Sequence, residues 1–294
     1  MKTYLLLGAN GQLGSELQRS FHADGHVVAH TRATCDLSDP KSIRAVVRSV
    51  TPDVILNAAA YTAVDRAASE PELAAQINAT APGVLAEEAK KQNALLIHYS
   101  TDYVFDGTKA IAWREDDPTN PLNVYGATKL AGERNVQQVG GRSLIFRTSW
   151  VYSPHGQNFL LTMLRLGQQR DELKIVNDQR GAPTSAAALA KATREIVLNA
   201  AEGDLDQLAG IYHMTCAGET TWCGFAQAIF ANARAAKQWP IVIGIPASHY
   251  PTPARRPANS VLSNEKLTSV FGVELPPWEN ALNEALQSLN LRIA

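Results

Sequence analysis

Three glycines at intervals of three residues separate a short apolar run from a helical pattern near the beginning of the chain. The run from Lys2 to Leu7 is typical of a buried strand in a parallel sheet, and apolar residues recur on one helix face from Leu13 onward. Gly8, Gly11 and Gly14 stand where the chain must turn tightly, let a pyrophosphate approach its backbone and pack helix against strand. The pattern predicts a dinucleotide at the N-terminus of this helix, and a glycine turn with only a structural role is the alternative.

Strand-like and helix-like segments go on alternating through the first half of the chain. Apolar runs separated by helical stretches are the order expected of βαβ units, so we predict an α/β fold, a Rossmann-type doubly wound parallel sheet with a smaller C-terminal substrate-binding domain. Residues 1–150 are predicted to form the dinucleotide-binding domain and residues 151–294 mainly the substrate domain, with some segments returning to the first. The predicted strands are Lys2–Leu7, Val27–Ala29, Val54–Leu56, Ala94–Tyr99 and Ser143–Arg147, and predicted helices include Glu70–Gln92, Val124–Gln138, Phe159–Gln168, Ala186–Leu198, Trp222–Ala236 and Glu279–Leu289.

Composition and charge exclude several classes of protein. Apolar residues make up 45% and charged residues 19% of the 294 residues, which excludes a disordered chain. Lys and Arg total 27 and Asp and Glu total 28, so a net charge of −1 favours neither nucleic acid nor a membrane surface as a partner. Three cysteines without CxxC spacing, and no signal-peptide pattern or long apolar run, predict reduced thiols and a cytoplasmic protein without a membrane span.

The segment after the second predicted strand bears on which dinucleotide binds. An NAD site usually carries an acid there, which binds the ribose 2′-hydroxyl, but Ala29–Arg32 contains none. Arg32 suits a 2′-phosphate through its planar guanidinium, or it is a solvated loop residue. Asp36 and Leu37 follow and are expected to line the adenine pocket. NADPH and NADH therefore both stay open as the cofactor.

Tyr125 and Lys129 lie four residues apart in a predicted helix, so they share a face. A nearby ammonium lowers the pKa of a phenol toward neutrality, which suits general acid–base work on a carbonyl. For this pair alone, the alternative to a catalytic role is an ordinary surface helix that carries a tyrosine and a lysine. Thr101 and Asp102 follow the fourth predicted strand, at the edge of an open parallel sheet where ligands bind. Together the four residues indicate a catalytic site at that edge.

These features together resemble the extended short-chain dehydrogenase/reductase superfamily. Within it, six motifs in chain order resemble the dTDP-4-dehydrorhamnose reductase family, and the match runs from the first strand nearly to the C-terminus. The resemblance implies reduction of the C4 ketone of dTDP-4-dehydro-L-rhamnose by a nicotinamide hydride, the last step of dTDP-L-rhamnose synthesis. The six motifs are Asn57–Asp65, Ser100–Phe105, Pro121–Gly126, Arg147–Tyr152, Asn177–Gln179 and Pro251–Pro257.

The resemblance also implies roles for individual residues. Tyr125 would donate a proton to the developing alkoxide, Lys129 would hold the nicotinamide ribose, and Thr101 would bond the carbonyl oxygen. Ser100 ranks below Thr101 because neighbouring side chains of a strand point to opposite faces. With the residues argued above, the predicted cofactor contacts are Gly8, Gly11, Gln12, Leu13, Gly14, Arg32, Asp36, Leu37, Ala60, Tyr61, Thr62, Tyr125 and Lys129, and the predicted substrate contacts are Thr101, Asp102, Trp150, Asn158, Arg255 and Arg256.

Several of these residues have a plainer interpretation. Trp150 fits the core as well as a sugar contact, and Asn158 either bonds the substrate diphosphate or caps a helix. The guanidinium forks of Arg255 and Arg256 fit a diphosphate, and one of the two is expected to face solvent. Some family members dimerise with Mg²⁺ bound by carboxylates at the interface, and Glu16 lies in a matching place. The resemblance thus implies a possible homodimer and possible Mg²⁺, but we predict no metal ligand.

Departures from related enzymes narrow the reaction. Sugar-nucleotide 4,6-dehydratases carry an Asp-Glu pair after the Thr, whereas Asp102 is followed here by Tyr103, and epimerase-reductases that make GDP-fucose use a Cys that is absent here. The sequence therefore fits a simple ketone reductase. The alternatives are a reductase of another nucleotide-linked 4-keto sugar and a non-catalytic NADP-binding regulatory subunit, and the presence of Tyr125, Lys129 and Thr101 favours an enzyme.

Overall fold

The chain alternates between strands and helices along most of its length. The computed structural model describes residues 1–199, 207–234 and 238–291. Its strands are β1 (Lys2–Leu7), β2 (Gly25–His30), β3 (Val54–Asn57), β4 (Leu95–Thr101), β5 (Ser143–Thr148), β6 (Val151–Tyr152), β7 (Glu172–Val176), β8 (Arg180–Gly181), β9 (Thr184–Ser185), β10 (Gly210–His213), β11 (Thr220–Thr221) and β12 (Ile241–Ile245). Its α-helices are α1 (Gln12–Phe21), α2 (Pro40–Val50), α3 (Pro71–Ala75), α4 (Ala81–Lys91), α5 (Val124–Val139), α6 (Phe159–Gln169), α7 (Ala186–Asn199), α8 (Trp222–Asn232), α9 (Glu265–Phe271) and α10 (Trp278–Ser288).

The central sheet has six strands within the described residues, in the order β2-β1-β3-β4-β5-β10. All of its strand pairs are parallel. The chain first adds β2 on one side of β1 and then builds β3, β4 and β5 outward on the other, so the winding reverses at β1. This is a doubly wound sheet, and the predicted fold class is confirmed. Ligands bind such sheets beyond the carboxyl ends of the strands, at the point where the winding reverses.

Helices cover both faces of this sheet. Along β1, Tyr4 and Leu6 belong to one buried cluster, which also holds side chains of α1 and α7. Leu5 and Leu7 belong to the other, which holds side chains of α2 and α4. Because successive side chains of a strand point to opposite faces, a strand buried on both sides must be apolar at every position. Burial on both faces therefore explains the apolar run at the beginning of the sequence.

The prolines within the predicted helix Glu70–Gln92 stand at helix beginnings. Pro71 is the first residue of α3, where a missing backbone N–H costs nothing, and Pro82 is the second residue of α4. A π-helical turn, Gln76–Thr80, joins the two helices. The segment therefore stays helical through both prolines.

The helix predicted at Trp222–Ala236 is shorter than expected. It ends at Asn232, because Ala233 has an extended backbone and its carbonyl accepts a hydrogen bond from Trp239 Nε1 at 2.7 Å. Tertiary contact with Trp239 thus overrides the local helical tendency. Residues 235 and 236, the end of the predicted helix, lie outside the described residues.

The second half of the chain contributes directly to the central sheet. β10 pairs with β5 in parallel, and α7 shares the buried cluster of α1. The other later strands form two-stranded pairs, β6 with β9, β7 with β12 and β8 with β11. The division of the chain into two domains at residue 150 stays a prediction. β10 and α7 are segments from beyond that residue that lie on the central sheet. Within the described part of the chain, no helix has the length and apolarity needed to cross a membrane.

Candidate active site

A cavity of about 620 Å³ opens beyond the carboxyl ends of the central strands, a size usual for a small-ligand site. Its wall combines the glycine turn after β1, the segments after β2 and β3, and the first turns of α5. These segments are far apart in sequence, and the sheet brings their ends to one edge. The predicted cofactor residues that line the cavity are Gly8, Gly11, Gln12, Leu13, Arg32, Asp36, Leu37, Ala60, Tyr61, Thr62, Tyr125 and Lys129.

The glycine turn has no room for side chains. Gly8 has a φ of +80°, and a Cβ there would lie 2.9 Å from the backbone nitrogen of Ala59. Gly14, which does not line the cavity, packs α1 so closely on the turn that a Cβ would lie 2.0 Å from the Gly8 carbonyl oxygen. Gly11 caps α1 without any side-chain hydrogen bond to the helix N-terminus. Uncapped N–H groups at a helix N-terminus form a suitable site for a phosphate.

The end of β2 places a cation, and no acid, beside the cavity. Arg32 is exposed in the cavity wall, and its charge helps to lower the pKa of Asp36. The larger cause of that lowered pKa is Ser38, whose backbone N–H and hydroxyl donate to Asp36 Oδ1 at 2.9 and 2.7 Å. Asp36 is therefore an ionised carboxylate held in a fixed orientation, and Arg32 keeps its guanidinium accessible.

Tyr125 lies in the first turn of α5, which begins where Asn123 Oδ1 accepts a hydrogen bond from the Gly126 N–H at 2.8 Å. Its hydroxyl forms a hydrogen bond with Thr101, at the end of β4. Burial raises the pKa of Tyr125 to about 12, with a smaller contribution from the charge of Asp102, and the Thr101 hydrogen bond opposes this shift. The expected lowering of this pKa by an ammonium is absent among its causes. At neutral pH the phenol carries its proton.

Lys129 follows one turn later on α5 and is only 1% exposed. Its Nζ donates to the Tyr99 carbonyl at 2.6 Å and lies 3.4 Å from His98 Nε2. Burial lowers the pKa of Lys129 to about 8, and the negative charge of Glu133 opposes this shift. The lysine thus presents a cation to the cavity from a buried position.

Thr101 and Asp102 lie behind Tyr125 and do not line the cavity. The Thr101 hydroxyl donates to Asp102 Oδ1 at 2.9 Å and accepts from the Tyr103 N–H at 3.1 Å. Asp102 Oδ2 is buried without a hydrogen-bond partner in the described part of the chain, and burial raises the pKa of this carboxyl to about 6. Thr101 must therefore turn its proton away from Asp102 before it can donate to a substrate carbonyl.

Ser100 lines the cavity, but its hydroxyl is engaged elsewhere. It donates to Glu133 Oε1 at 2.5 Å, and Arg147 holds the same carboxylate through two hydrogen bonds of 2.9 and 2.7 Å. This buried pair fixes the position of Ser100, so the side chain is not free to act on a ketone.

Trp150 is half-buried, not enclosed in the core. Its φ is +47°, an unusual backbone conformation for a bulky residue, and its ring stacks on Trp222 with centroids 3.6 Å apart. The indole fits against Gly181, where a Cβ would lie 2.5 Å from Trp150 Cε2. A backbone strained in this way is held by its surroundings and is common at binding sites.

Asn158 is the N-cap of α6. Its Oδ1 accepts from the Leu161 N–H at 3.0 Å, and its Nδ2 donates to Gln12 Oε1 and to the Ser153 carbonyl, each at 2.8 Å. The helix-cap interpretation therefore describes its position, and a substrate contact stays a prediction.

The two candidate arginines have different surroundings. Both guanidinium Nη atoms of Arg256 donate to the carboxylate of Asp65 at 2.8 Å, and the Tyr103 hydroxyl oxygen accepts a further hydrogen bond from this guanidinium. Arg255 is exposed, with no ion pair to any residue of the described ranges, and its carbonyl accepts from Asn123 Nδ2 at 2.8 Å. Of the two, only Arg255 has a charge that no residue of the described ranges neutralises.

Glu16 is buried and paired, which bears on the implied Mg²⁺. Its Oε2 bonds Arg19 Nη1 at 2.5 Å, and His155 Nδ1 lies 3.9 Å from Oε1. The described residues contain no group of three or more His, Cys, Asp or Glu side chains placed to hold a metal ion. Mg²⁺ stays an implication of the resemblance alone.

Sequence reasoning assigned no role to several residues that bear on the site. Asn57 and His98 pair in register on β3 and β4, and Asp65 holds Arg256. A polar residue inside an otherwise apolar strand was the available signal for the first two. Asp65 ends one of the family motifs, but nothing local shows that it pairs with Arg256.

Comparison with known proteins identifies the family of the chain. A family model described as the RmlD substrate binding domain matches residues 1–291. A dTDP-4-dehydrorhamnose reductase of Burkholderia thailandensis is 50% identical in an alignment that covers 97% of this chain and 98% of that protein. The chain belongs to the dTDP-4-dehydrorhamnose reductase family. The family resemblance of the sequence motifs is thereby confirmed.

Solved structures of this family have the same fold. A dTDP-4-dehydrorhamnose reductase of Bacillus anthracis, in complex with NADP, is 32% identical with a TM-score of 0.90 and covers 98% of this chain and 99% of its own. The one from Clostridium acetobutylicum is 35% identical with a TM-score of 0.91 and the same coverage. The fold of the whole described chain is therefore that of the family.

Proposed function

We propose that this protein reduces the C4 ketone of dTDP-4-dehydro-L-rhamnose to dTDP-L-rhamnose, with NADPH or NADH as reductant. The observation that carries the proposal is the Tyr125 hydroxyl, bonded to Thr101 and one helical turn before Lys129, in the wall of a cavity built on the glycine turn. The names of the family members support the substrate, and the NADP complex of one of them supports the cofactor.

The glycine turn fits a dinucleotide. The space that a Cβ at Gly8 would need is taken by Ala59, and the N-terminus of α1 has no side-chain cap, so backbone N–H groups are left for a pyrophosphate. Lys129 would hold the nicotinamide ribose, and Arg32 would meet a 2′-phosphate. When bound, a reduced nicotinamide supplies the hydride that the ketone carbon accepts.

Tyr125 supplies the proton. Because its pKa is raised to about 12, the phenol is protonated at neutral pH and can donate from Oη to the ketone oxygen as negative charge develops there. The buried Lys129 ammonium would stabilise that developing charge. Thr101 orients the phenol through their shared hydrogen bond.

A direct assay tests the function. Wild-type protein is mixed with enzymatically prepared dTDP-4-dehydrorhamnose, and the loss of reduced-nicotinamide absorbance and the sugar product are followed together. Stoichiometric formation of dTDP-L-rhamnose is the expected result. Tight NADPH binding without turnover of this sugar would favour the role of a regulatory subunit. Turnover of only another nucleotide-linked 4-keto sugar would show that this other sugar is the substrate.

Cofactor choice is tested with the same assay. We expect NADPH to be used at least as well as NADH, because Arg32 stands where an NAD site usually has an acid. Arg32→Ala should lower kcat/KM for NADPH and leave NADH unchanged. A strong NADH preference that persists in Arg32→Ala would contradict this role.

We also propose a cytoplasmic protein, in keeping with three buried free thiols, Cys35, Cys216 and Cys223. A homodimer is proposed from the resemblance alone. Light scattering with and without Mg²⁺ measures both the oligomeric state and any role of the metal.

A further inference from the structure

We propose that His98, oriented by Asn57, is a positioning residue that aims the Lys129 ammonium at the bound dinucleotide. The inference rests on the reduction proposed above and adds two residues to its machinery. Both are 1% exposed and lie opposite each other on β3 and β4. His98 touches the ligand site only through Lys129.

The three side chains form a continuous line. Asn57 Nδ2 lies 3.0 Å from His98 Nδ1, and His98 Nε2 lies 3.4 Å from Lys129 Nζ. Burial, together with the positive charge of Lys129, lowers the pKa of His98 well below its usual value. The imidazole is therefore neutral, so one ring nitrogen carries a proton and the other accepts.

Counting protons decides which nitrogen accepts. If the Asn57 amide nitrogen donated to Nδ1, the Nε2–H of His98 would face the ammonium of Lys129, which has no lone pair to accept it. With the amide turned over, Oδ1 accepts from the Nδ1–H and the Nε2 lone pair faces Lys129. Since the oxygen and nitrogen of an amide are assigned from their hydrogen bonds, the second arrangement is the one the surroundings require.

This arrangement fixes the ammonium. Two of its protons are directed to the Tyr99 carbonyl and to His98 Nε2, which leaves the third for a ligand in the cavity that Lys129 lines. The charged group facing it from its own helix is Glu133, whose carboxylate is held by Arg147. His98 is the group that faces it from β4. A flexible lysine side chain held at two points loses little further freedom on binding a ribose.

The first test needs no substitution. Nitrogen-15 shifts of histidine distinguish the two neutral tautomers, and we expect His98 in the wild-type protein to carry its proton on Nδ1. A proton on Nε2 would overturn the proposal.

The second test removes the acceptor. His98→Leu should weaken NADPH binding, measured by nicotinamide fluorescence, and lower kcat, each roughly 10- to 100-fold, the usual effect of losing a hydrogen bond to a charged group. The loss of NADPH affinity with rising pH should begin at a lower pH than in wild type, because the uncompensated ammonium gives up its proton more easily. His98→Gln, which returns an acceptor near the Nε2 position, should restore much of both. His213→Leu is the matched control, because His213 is likewise a buried strand histidine and contacts the Trp113 carbonyl instead of the site.

The outcomes separate this proposal from the proposed function. NADPH binding and its pH dependence require no sugar substrate. An unchanged pH dependence in a folded His98→Leu variant, or an equal effect of His213→Leu, would overturn the role of His98. The wild type could fail to turn over the sugar while His98→Leu still shifts the pH dependence of NADPH binding. That result would overturn the proposed reaction and leave the positioning role of His98 intact.

Discussion

At the scale of single residues, the Thr101 hydroxyl lies between two acids whose pKa values shift in the same direction. It bonds the phenol of Tyr125 and donates to Asp102 at 2.9 Å. Burial raises the pKa of Tyr125 to about 12 and that of Asp102 to about 6, so at neutral pH the phenol keeps its proton and the carboxyl is mostly ionised. A reduction consumes a proton, and Tyr125 is the group of the two that holds one.

Tyr125→Phe should lose nearly all turnover while still binding NADPH. The variant keeps the ring and removes the proton donor, and general acid catalysis typically contributes about 10²- to 10⁴-fold. The measurement is kcat beside the Kd for NADPH. Tyr152→Phe is the control, because it removes a buried hydroxyl that has no hydrogen-bond partner among the described residues, and it should keep its turnover. A near-normal kcat in Tyr125→Phe would remove this residue from the proton-donor role.

Asp102→Asn should change how stability depends on pH. The folded state raises the pKa of this carboxyl from 3.8 to about 6, so it binds the proton more tightly than the unfolded chain does. The wild-type protein therefore loses stability from Asp102 as pH rises from about 4 to about 6, by roughly 3 kcal/mol at most. In urea unfolding, the free energy of unfolding of the variant should rise relative to that of the wild type over this pH interval. The exposed Asp116→Asn is the control, and a constant difference between Asp102→Asn and wild type across it would contradict the prediction.

At the scale of elements, one loop of the second half is attached to the beginning of the catalytic helix. Asn123 caps α5 and also donates to the Arg255 carbonyl at 2.8 Å. Asp65, in the segment after β3, holds the Arg256 guanidinium and accepts from the Ala254 N–H at 3.1 Å. The loop 250–257 is thus fixed against both the cofactor side and the catalytic side of the site, and its prolines restrict it further.

Arg255→Ala should raise KM for the sugar nucleotide roughly 10- to 100-fold and leave NADPH binding unchanged. The Arg255 guanidinium is exposed and has no ion pair within the described residues, so a diphosphate can use its charge, and charge-assisted hydrogen bonds are worth this much. Kinetics at varied sugar nucleotide and saturating NADPH measure the effect. Arg165→Ala, at an exposed position of α6, is the matched control.

Arg256→Ala gives the contrasting result. It leaves Asp65 without its partner and should lower the Tm through a loosened loop. If Arg256→Ala raised KM while the Tm held, and Arg255→Ala bound dTDP as well as wild type, the two roles would have to be exchanged.

At the scale of the whole molecule, the two halves of the chain share one sheet. β10 covers the outer edge of β5, and α7 packs with α1 on one face. The first 150 residues therefore contain a sheet with an unpaired edge and part of one face uncovered. An exposed edge of a buried parallel strand favours association with other chains.

A fragment of residues 1–150 should therefore fail to fold as a unit. We expect no cooperative thermal transition by circular dichroism and a tendency to aggregate, whereas the full chain should unfold cooperatively and gain Tm with NADPH. Binding of NADPH by a fragment that melts cooperatively would contradict this expectation and would make the first half an independent domain.

The sequence determined the fold class and the first parts of the site, the glycine turn and the Tyr125–Lys129 pair, because both depend on local spacing. An apolar run, a glycine turn and a helical stripe specify a strand, a phosphate-sized turn and a helix within about 20 residues. Tyr125 and Lys129 share a face because helical geometry requires it. Parallel strands end at one edge, so the residues after them could be predicted to meet.

Only the tertiary structure decided which groups are charged, paired or free. Asp65 and Arg256 are separated by 191 residues, so no local pattern shows that this arginine is neutralised and that Arg255 is not. The pKa of Tyr125 rises because burial outweighs its neighbours, and burial is a property of the packed molecule. His98 reaches Lys129 for the same reason: strand and helix must first pack before a buried imidazole can meet an ammonium.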